Sequence, residues 1–294
     1  MKVLITGSNG LLGQKLVDLC LSQSISFLAT SSGANRNSRC PQENYATLDI
    51  TDEQNITEVL HAYKPTHLIH TAAMTNVDQC ELHPEACDLV NRQSVQMLAN
   101  YCQLHQIHFQ LLSTDFVFDG LAGPYTEEDQ PNPLSVYARS KVEAEKIAQT
   151  TQDLHFSIVR TIIVYGEGEK LSRSNLILWA KNALQNGEPL QVVDDQFRAP
   201  TWADDLAWAC LRICELNQNG IFHISGPETL SIYEIVLRLA RFYNLSAEHI
   251  SKVSSEQLQQ PAKRPPRTGF KLDKASHILG YEPSTLEQTF ALLK

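Results

Sequence analysis

The stretch Val3-Leu4-Ile5-Thr6-Gly7-Ser8-Asn9-Gly10-Leu11-Leu12-Gly13 constrains this chain more than any other. An apolar strand runs directly into a glycine turn, after which Leu12, Leu16 and Leu19 recur at helical spacing. Glycines allow a tight turn and a close approach of backbone to a pyrophosphate, and the free N–H groups of the helix start face it. Gly7, Asn9, Gly10, Leu11, Leu12 and Gly13 are therefore expected to hold a dinucleotide. A ligand-free glycine turn is the plainer alternative, and a position directly after the first strand weighs against it. The spacing is Gly-x-x-Gly-x-x-Gly rather than Gly-x-Gly-x-x-Gly.

Beyond the turn, strand and helix patterns alternate. Ile25–Thr30 reads as a strand, Leu48-Asp49-Ile50 follows, and a helix runs from Glu53 to near Tyr63 with Thr51 or Asp52 as its cap. Thr66–His70 is a strand that ends in small residues, Thr71-Ala72-Ala73, leaving room for a ligand at the sheet edge. A long amphipathic helix is expected from Pro84 to near His105, then a strand at Phe109–Leu112. The helix carrying Tyr137 is expected to be capped by Ser135, and a single strand should run from Phe156 to Gly166. The alternation predicts an α/β fold, a Rossmann-type doubly wound parallel sheet.

The second half predicts helices over 174–186 (closed by Gly187), 205–215 and 232–243, with strands at 190–193 and 222–225. The expected organisation is a dinucleotide-binding domain over residues 1–166, completed by part of 190–225. Residues 167–294 would form a smaller lobe that mainly binds substrate. Pro261–Arg267, with three prolines and three basic residues, reads as a surface loop able to meet an anion.

A chain of 294 residues can bury a full core, and 43% hydrophobic with 19% charged residues is ordinary for a globular protein. A formal charge of -9 argues against nucleic acid or an anionic membrane as the main partner. With no signal-peptide pattern at Met1–Ile5 and no apolar run near the ~20 residues that span a bilayer, a cytoplasmic location is expected. Seven scattered cysteines without a Cys-x-x-Cys point to reduced, mostly buried thiols. His61, His67, His70, His83, His105 and His108 lack ligand spacing, so no metal is expected.

Tyr137 and Lys141 lie four apart in the predicted helix and share a face. An ammonium beside a phenol favours the phenolate and is expected to lower its pKa from ~10. Such a phenol can exchange a proton with a carbonyl or alcohol oxygen near neutral pH. A solvated helix face is the bland alternative. At the end of the second strand, an acidic residue would pair with the ribose 2′-hydroxyl of NAD. Here the chain has Thr30-Ser31-Ser32, then Arg36 and Arg39. Hydroxyls with an arginine suit a 2′-phosphate, which favours NADP(H) and leaves NAD(H) open; a plain solvated loop is the alternative for both arginines.

Thr6-Gly7-x-x-Gly10-x-x-Gly13, Thr114 and Tyr137-x-x-x-Lys141, in that order, resemble the extended short-chain dehydrogenase/reductase family. Longer strings are similar to dTDP-4-dehydrorhamnose reductases: Ala72-Ala73-x-Thr75-x-Val77-Asp78, Ser113-Thr114-Asp115-Phe116-Val117-Phe118-Asp119-Gly120, Pro124-Tyr125-x-Glu127 and Pro200-Thr201-x-x-x-Asp205-Leu206-Ala207. The resemblance implies an NAD(P)H-dependent reductase acting on the C4 ketone of a nucleotide-linked 6-deoxy sugar. By that resemblance Asp49 and Ile50 edge the adenine, Ala72 and Ala73 lie along the cofactor, and Lys141 also holds the nicotinamide ribose. Tyr137 would donate a proton to the substrate oxygen, and Thr114 would hydrogen-bond the same oxygen. Thr75, Val77, Phe116 and Arg198 are the expected substrate contacts. Side chains alternate along a strand, so Ser113 is expected to turn away and satisfy backbone. The expected partner is a small-molecule nucleotide sugar, and a homodimer is left open.

Three residues depart from the subfamily pattern: Phe116 where a tyrosine is usual, Ile163 where an aromatic is frequent, and Arg198 where a smaller residue is expected. An arginine before Pro200-Thr201 also resembles the regulatory β subunit of methionine adenosyltransferase. Arg198 could bind a diphosphate through paired hydrogen bonds or a surface carboxylate. These departures leave open a regulatory subunit of that type and a reductase or epimerase of another nucleotide sugar.

Overall fold

The computed structural model describes residues 1–293. In its first half, β1 (Lys2–Thr6), α1 (Leu11–Ser22), β2 (Ser26–Ser31), β3 (Tyr45–Thr47), α2 (Glu53–Tyr63) and β4 (His67–His70) lead to three short helices, α3 (Val77–Leu82), α4 (Pro84–Asp88) and α5 (Ser94–Leu104). After β5 (His108–Thr114), α6 (Val136–Thr150) and β6 (Phe156–Thr161) come β7 (Val164–Tyr165), α7 (Leu176–Gln185), β8 (Leu190–Val193), β9 (Phe197–Arg198) and β10 (Thr201–Trp202). The chain closes with α8 (Ala203–Glu215), β11 (Gly220–Ile224), β12 (Leu230–Ser231), α9 (Ile232–Phe242), β13 (Ile250–Val253), α10 (Asp273–Leu279) and α11 (Leu286–Phe290).

Seven strands form one parallel sheet in the order β11-β6-β5-β4-β1-β2-β3. Alternation along β1 explains why helices cover both faces. Val3 and Ile5 pack with Leu16 and Val17 of α1 and Leu206 and Cys210 of α8, while Leu4 packs with Leu98 of α5 and Ile56 of α2. A parallel sheet needs this double cover because its strands are apolar on both sides. The direction of strand progression reverses between β1 and β4, and the crevice outside their C-terminal ends is where such sheets bind ligands. A second apolar cluster joins α7 and α9 to β8, which pairs with β13 and not with the large sheet.

Several local expectations are corrected. The helix expected from Pro84 to His105 is wound as a π-helix over Leu89–Gln93. That extra residue per turn directs the side chain of Asn91 inward, where it bonds Met74 N at 2.8 Å, Met74 O at 3.0 Å and Ser140 Oγ at 3.1 Å. Helix α3, capped by Asn76, forms over Val77–Leu82, where no helix is expected from the sequence. The strand expected from Phe156 to Gly166 breaks at Ile163, whose φ of 33° costs a β-branched residue ~1–3 kcal/mol. The break takes the chain out of the large sheet, so Val164 and Tyr165 pair with Thr201 and Trp202. Local chemistry fixed other boundaries: Asp52 caps α2 through Gln54 N and Asn55 N, and Ser135 caps α6 through Ala138 N.

Candidate active site

A cavity of about 1280 Å³ opens at the C-terminal ends of β1, β2, β4 and β5. One ligand usually occupies ~300–1,000 Å³, so there is room for a dinucleotide and a second nucleotide-sized molecule. At one end, Gly7 has a φ of 70°, and a Cβ there would stand 2.7 Å from Ala72 N. A Cβ on Gly13 would stand 2.4 Å from Gly7 O, so helix and turn pack backbone to backbone. Gly10 begins α1 with no side-chain cap, which leaves the first N–H groups of a twelve-residue helix facing the cavity. Asn9 locks this turn to the loop after β2: its Nδ2 donates to Ala34 O at 2.8 Å and its Oδ1 accepts from Arg36 N at 2.8 Å.

Ser31, Ser32 and Arg36 line the same end, and Arg36 Nη1 reaches Lys170 O at 3.3 Å. Arg39 instead forms an exposed pair with Asp18 at 3.1 Å. Asp49 and Ile50 border the cavity, with Asp49 Oδ1 accepting from Thr51 N and Oγ1 at 2.9 and 2.7 Å. Those two bonds hold the Asp49 carboxyl below its ordinary pKa. Ala72, Ala73, Thr75 and Val77 continue the wall from β4.

At the other end Thr114, Tyr137, Lys141 and Phe116 line one wall. β5 supplies Thr114 and α6 supplies the Tyr137–Lys141 turn. The Thr114 hydroxyl donates to Asp115 Oδ1 at 3.1 Å and accepts from Phe116 N at 3.2 Å, and the Phe116 ring meets the Tyr137 ring edge-on at 6.3 Å. Cys80 and Cys87 complete a small apolar cluster around Tyr137.

The electrostatics differ from the sequence expectation. Burial raises the Tyr137 pKa above its ordinary value, only partly offset by the polar Thr114 side chain and reinforced by Asp115. The expected lowering by Lys141 is not found: desolvation is the largest influence on the phenol, and Lys141 is itself desolvated. Burial lowers the Lys141 pKa to about 8, against the opposing pull of Glu145. Glu145 sits one turn further along α6 and is held by Arg160 Nη2 at 2.7 Å. Tyr137 therefore rests as a neutral phenol, the form that can give a proton.

Arg198 requires the largest correction. Its side chain is 1% exposed and stands 3.6 Å from the Asp115 carboxylate, itself buried. Its guanidinium also donates to Phe197 O at 2.7 Å, Pro266 O at 3.3 Å and Pro265 O at 2.6 Å. Its partners are a buried carboxylate and backbone carbonyls rather than a surface carboxylate, and it is not among the residues that line the cavity. The Pro261–Arg267 loop is committed too: Arg264 pairs with Asp78 at 2.7 Å, and the Arg267 guanidinium lies 4.8 Å from the Phe197 ring centre. Ser113 Oγ donates to Glu145 Oε1 at 2.5 Å, so it serves a carboxylate and not backbone.

Sequence reasoning missed four residues that line or support the site. His70, at the end of β4, lines the cavity and bonds Thr6 Oγ1 through Nδ1 at 2.8 Å. Asn91 was hidden by its π-helical turn. Lys170 and Arg173 come from the irregular segment before α7 and line the cavity, with Arg173 Nη2 at 3.0 Å from Thr75 Oγ1. The only signal for these two was basic character in a turn-rich stretch.

Fold and site together define an oxidoreductase of the nucleotide-sugar reductase type. The chain belongs to the RmlD substrate binding domain family, whose profile matches residues 1–293. It is 29% identical over 296 aligned residues to dTDP-4-dehydrorhamnose reductase of Aggregatibacter actinomycetemcomitans, covering 96% of this chain and 95% of that protein. It is also 29% identical over 258 residues to methionine adenosyltransferase 2 subunit beta of Bos taurus, covering 86% and 75%. Among solved structures it superposes with a TM-score of 0.83 on dTDP-4-dehydrorhamnose reductase from Bacillus anthracis in complex with NADP, at 26% identity, covering 100% and 99%. No helix among the described residues is long and apolar enough to cross a membrane.

Proposed function

We propose that the chain is an NADPH-dependent reductase of a nucleotide-linked 4-keto-6-deoxy sugar, with dTDP-4-dehydrorhamnose as substrate and dTDP-L-rhamnose as product. The observation that carries this reading is the meeting of Thr114, Tyr137 and Lys141 on the wall of a cavity that also contains the glycine turn. The reductase relatives support the substrate, and the NADP-bound structure supports the cofactor.

The residues fit a dinucleotide, since the backbone cradle at Gly7 and Gly13 is too close for any side chain and α1 begins uncapped. The N–H groups of Leu11 and Leu12 would take the pyrophosphate, and Asp49 and Ile50 would edge the adenine. Ser31, Ser32 and Arg36 would take a 2′-phosphate, and Lys141 the nicotinamide ribose. When bound, reduced nicotinamide supplies a hydride to the carbonyl carbon. Thr114 hydrogen-bonds the ketone oxygen as charge develops there, and the neutral Tyr137 gives that oxygen its proton. Lys141, with a pKa of about 8, is mostly cationic at neutral pH and stabilises the phenolate left behind. Phe116 and Ile163, both on the cavity wall, offer apolar surface to the sugar.

Oxidation of NADPH in the presence of dTDP-4-dehydrorhamnose tests the reading. Turnover is expected, and Tyr137→Phe should lose ~10²–10⁴-fold of it while remaining folded. A wild-type protein that leaves both compounds unchanged would sink the proposal, and an unimpaired Tyr137→Phe would sink the mechanism. A second reading, a regulatory subunit of the methionine adenosyltransferase β type, is favoured by the matching relatives. Co-purification with a methionine adenosyltransferase, without reductase turnover, would select it.

A further inference from the structure

A nucleoside diphosphosugar brings two phosphates into a chain whose formal charge is -9, so the site needs a cation positioned for them. Lys141 is 4% exposed and sits on the same helix face as Tyr137, so it serves the reacting end. Arg36 and Lys170 meet at the end lined by Ser31 and Ser32. Arg198 and Arg264 are held by Asp115 and Asp78.

Arg173 is different. It lies on the cavity wall, exposed, and the partners of its Nη2 are two neutral oxygens, Thr75 Oγ1 at 3.0 Å and Thr75 O at 3.3 Å. A neutral hydroxyl and a carbonyl hold a guanidinium weakly compared with a phosphate, so the contact can be exchanged for a charged one. Arg173 also stands just before Asn175, the cap of the ten-residue helix α7, whose first residue Leu176 lines the cavity as well. The arginine and the positive end of that helix thus face the same space.

The segment that carries Arg173 is fixed from the opposite side. Glu169 accepts from Ser38 N and Oγ at 2.9 and 2.6 Å, and its backbone N–H and C=O are both held by the Gln14 side chain, at 2.7 and 2.8 Å. Residues 169–173 therefore run as a strap from the glycine-turn helix and the loop after β2 to Thr75. Such anchoring would limit the entropy lost when the guanidinium orders on a ligand.

We infer that Arg173 is the diphosphate-binding residue of the nucleotide-sugar subsite, taking the phosphates that Arg198 cannot reach. The inference rests on the reductase reading above. A diphosphate is also present in the cofactor, and the uncapped start of α1 already provides for that one.

The test uses Arg173→Gln and Arg173→Lys in the full chain, with binding of dTDP, thymidine and NADP⁺ measured by calorimetry and turnover of dTDP-4-dehydrorhamnose measured in parallel. A charged hydrogen bond lost to phosphate predicts that Arg173→Gln weakens dTDP and raises the KM for the keto sugar by ~10-fold or more, with Arg173→Lys in between. Thymidine and NADP⁺ should bind as to the wild type. Undiminished dTDP affinity and KM in Arg173→Gln, with wild-type turnover intact, overturn this inference alone. A loss confined to NADP⁺ overturns it in favour of the cofactor's diphosphate. A wild type that neither binds dTDP nor turns over the keto sugar overturns the reductase reading, and this inference falls with it.

Discussion

Arg198 and Asp115 form a buried ion pair at the wall of the site, which Asp115 lines, with Nε 3.6 Å from Oδ2 and side chains 1% and 3% exposed. Thr268 donates to the same carboxylate, and Thr114 Oγ1 lies 3.1 Å from its other oxygen. The pair thus ties β9, the loop before α10 and the end of β5 together directly beneath Thr114. Removing one partner leaves the other charged and unsolvated. Arg198→Met should cost ~3–5 kcal/mol of stability, read as a lowered urea midpoint. A loss under ~1 kcal/mol would mean that the pair is less desolvated than its geometry implies.

The glycine turn permits a sharper test of the cofactor cradle. A methyl group on Gly13 would meet Gly7 O at 2.4 Å and Ser8 Cα at 2.5 Å, both backbone atoms that cannot swing aside. Gly13→Ala should displace the turn at a cost of ~1–3 kcal/mol. NADPH affinity should fall with it, by ~10-fold or more if one charged hydrogen bond to the pyrophosphate is lost. Fluorescence titration beside a thermal melt would separate the two effects, and unchanged NADPH binding would count against the cradle.

Cofactor preference turns on Arg36. With Ser31 and Ser32 beside it on the cavity wall, Arg36→Ala should raise the KM for NADPH by ~10-fold or more through loss of a charge-assisted bond. The KM for NADH should barely change. Equal effects on the two cofactors would assign Arg36 to holding Lys170 O and not to reading a 2′-phosphate.

Acid should weaken the fold through its buried histidines. Burial pushes the pKa of His70 to about 3, of His108 to about 4 and of His223 to about 3. Each would titrate near ~6.5 in an unfolded chain. Between those values the unfolded state binds more protons, so stability is full above pH ~6.5 and falls as pH drops through it. By pH 5 each such histidine costs about 2 kcal/mol. Denaturant midpoints at pH 7.5 and pH 5 check the slope, and His108→Gln should make it shallower. Identical midpoints at the two pH values would contradict the burial of neutral imidazoles.

The elements legible in the sequence are those set by near neighbours. The glycine turn announced itself because strand, turn and helix are consecutive, and the span of α2 followed from Asp52 and helical spacing. The Ser135 cap and the shared face of Tyr137 and Lys141 are likewise short-range. Helix α3 escaped notice because it is only six residues long, too short for a period to emerge. The π-helical turn at Leu89–Gln93 departs from ordinary helical spacing by one residue, and only Met74 and Ser140 explain where Asn91 points.

Periodicity, caps and glycine spacing act within a few residues, so they suffice to set the parallel α/β architecture and the residue types available for proton donation. Tertiary structure alone decided which charges are free to act. Arg198 and Arg173 look alike as letters, yet one is closed over Asp115 and the carbonyls of Pro265 and Pro266, and the other reaches the cavity beside Thr75. It also decided the protonation of Tyr137, since the cost of burying a phenolate depends on everything packed around it.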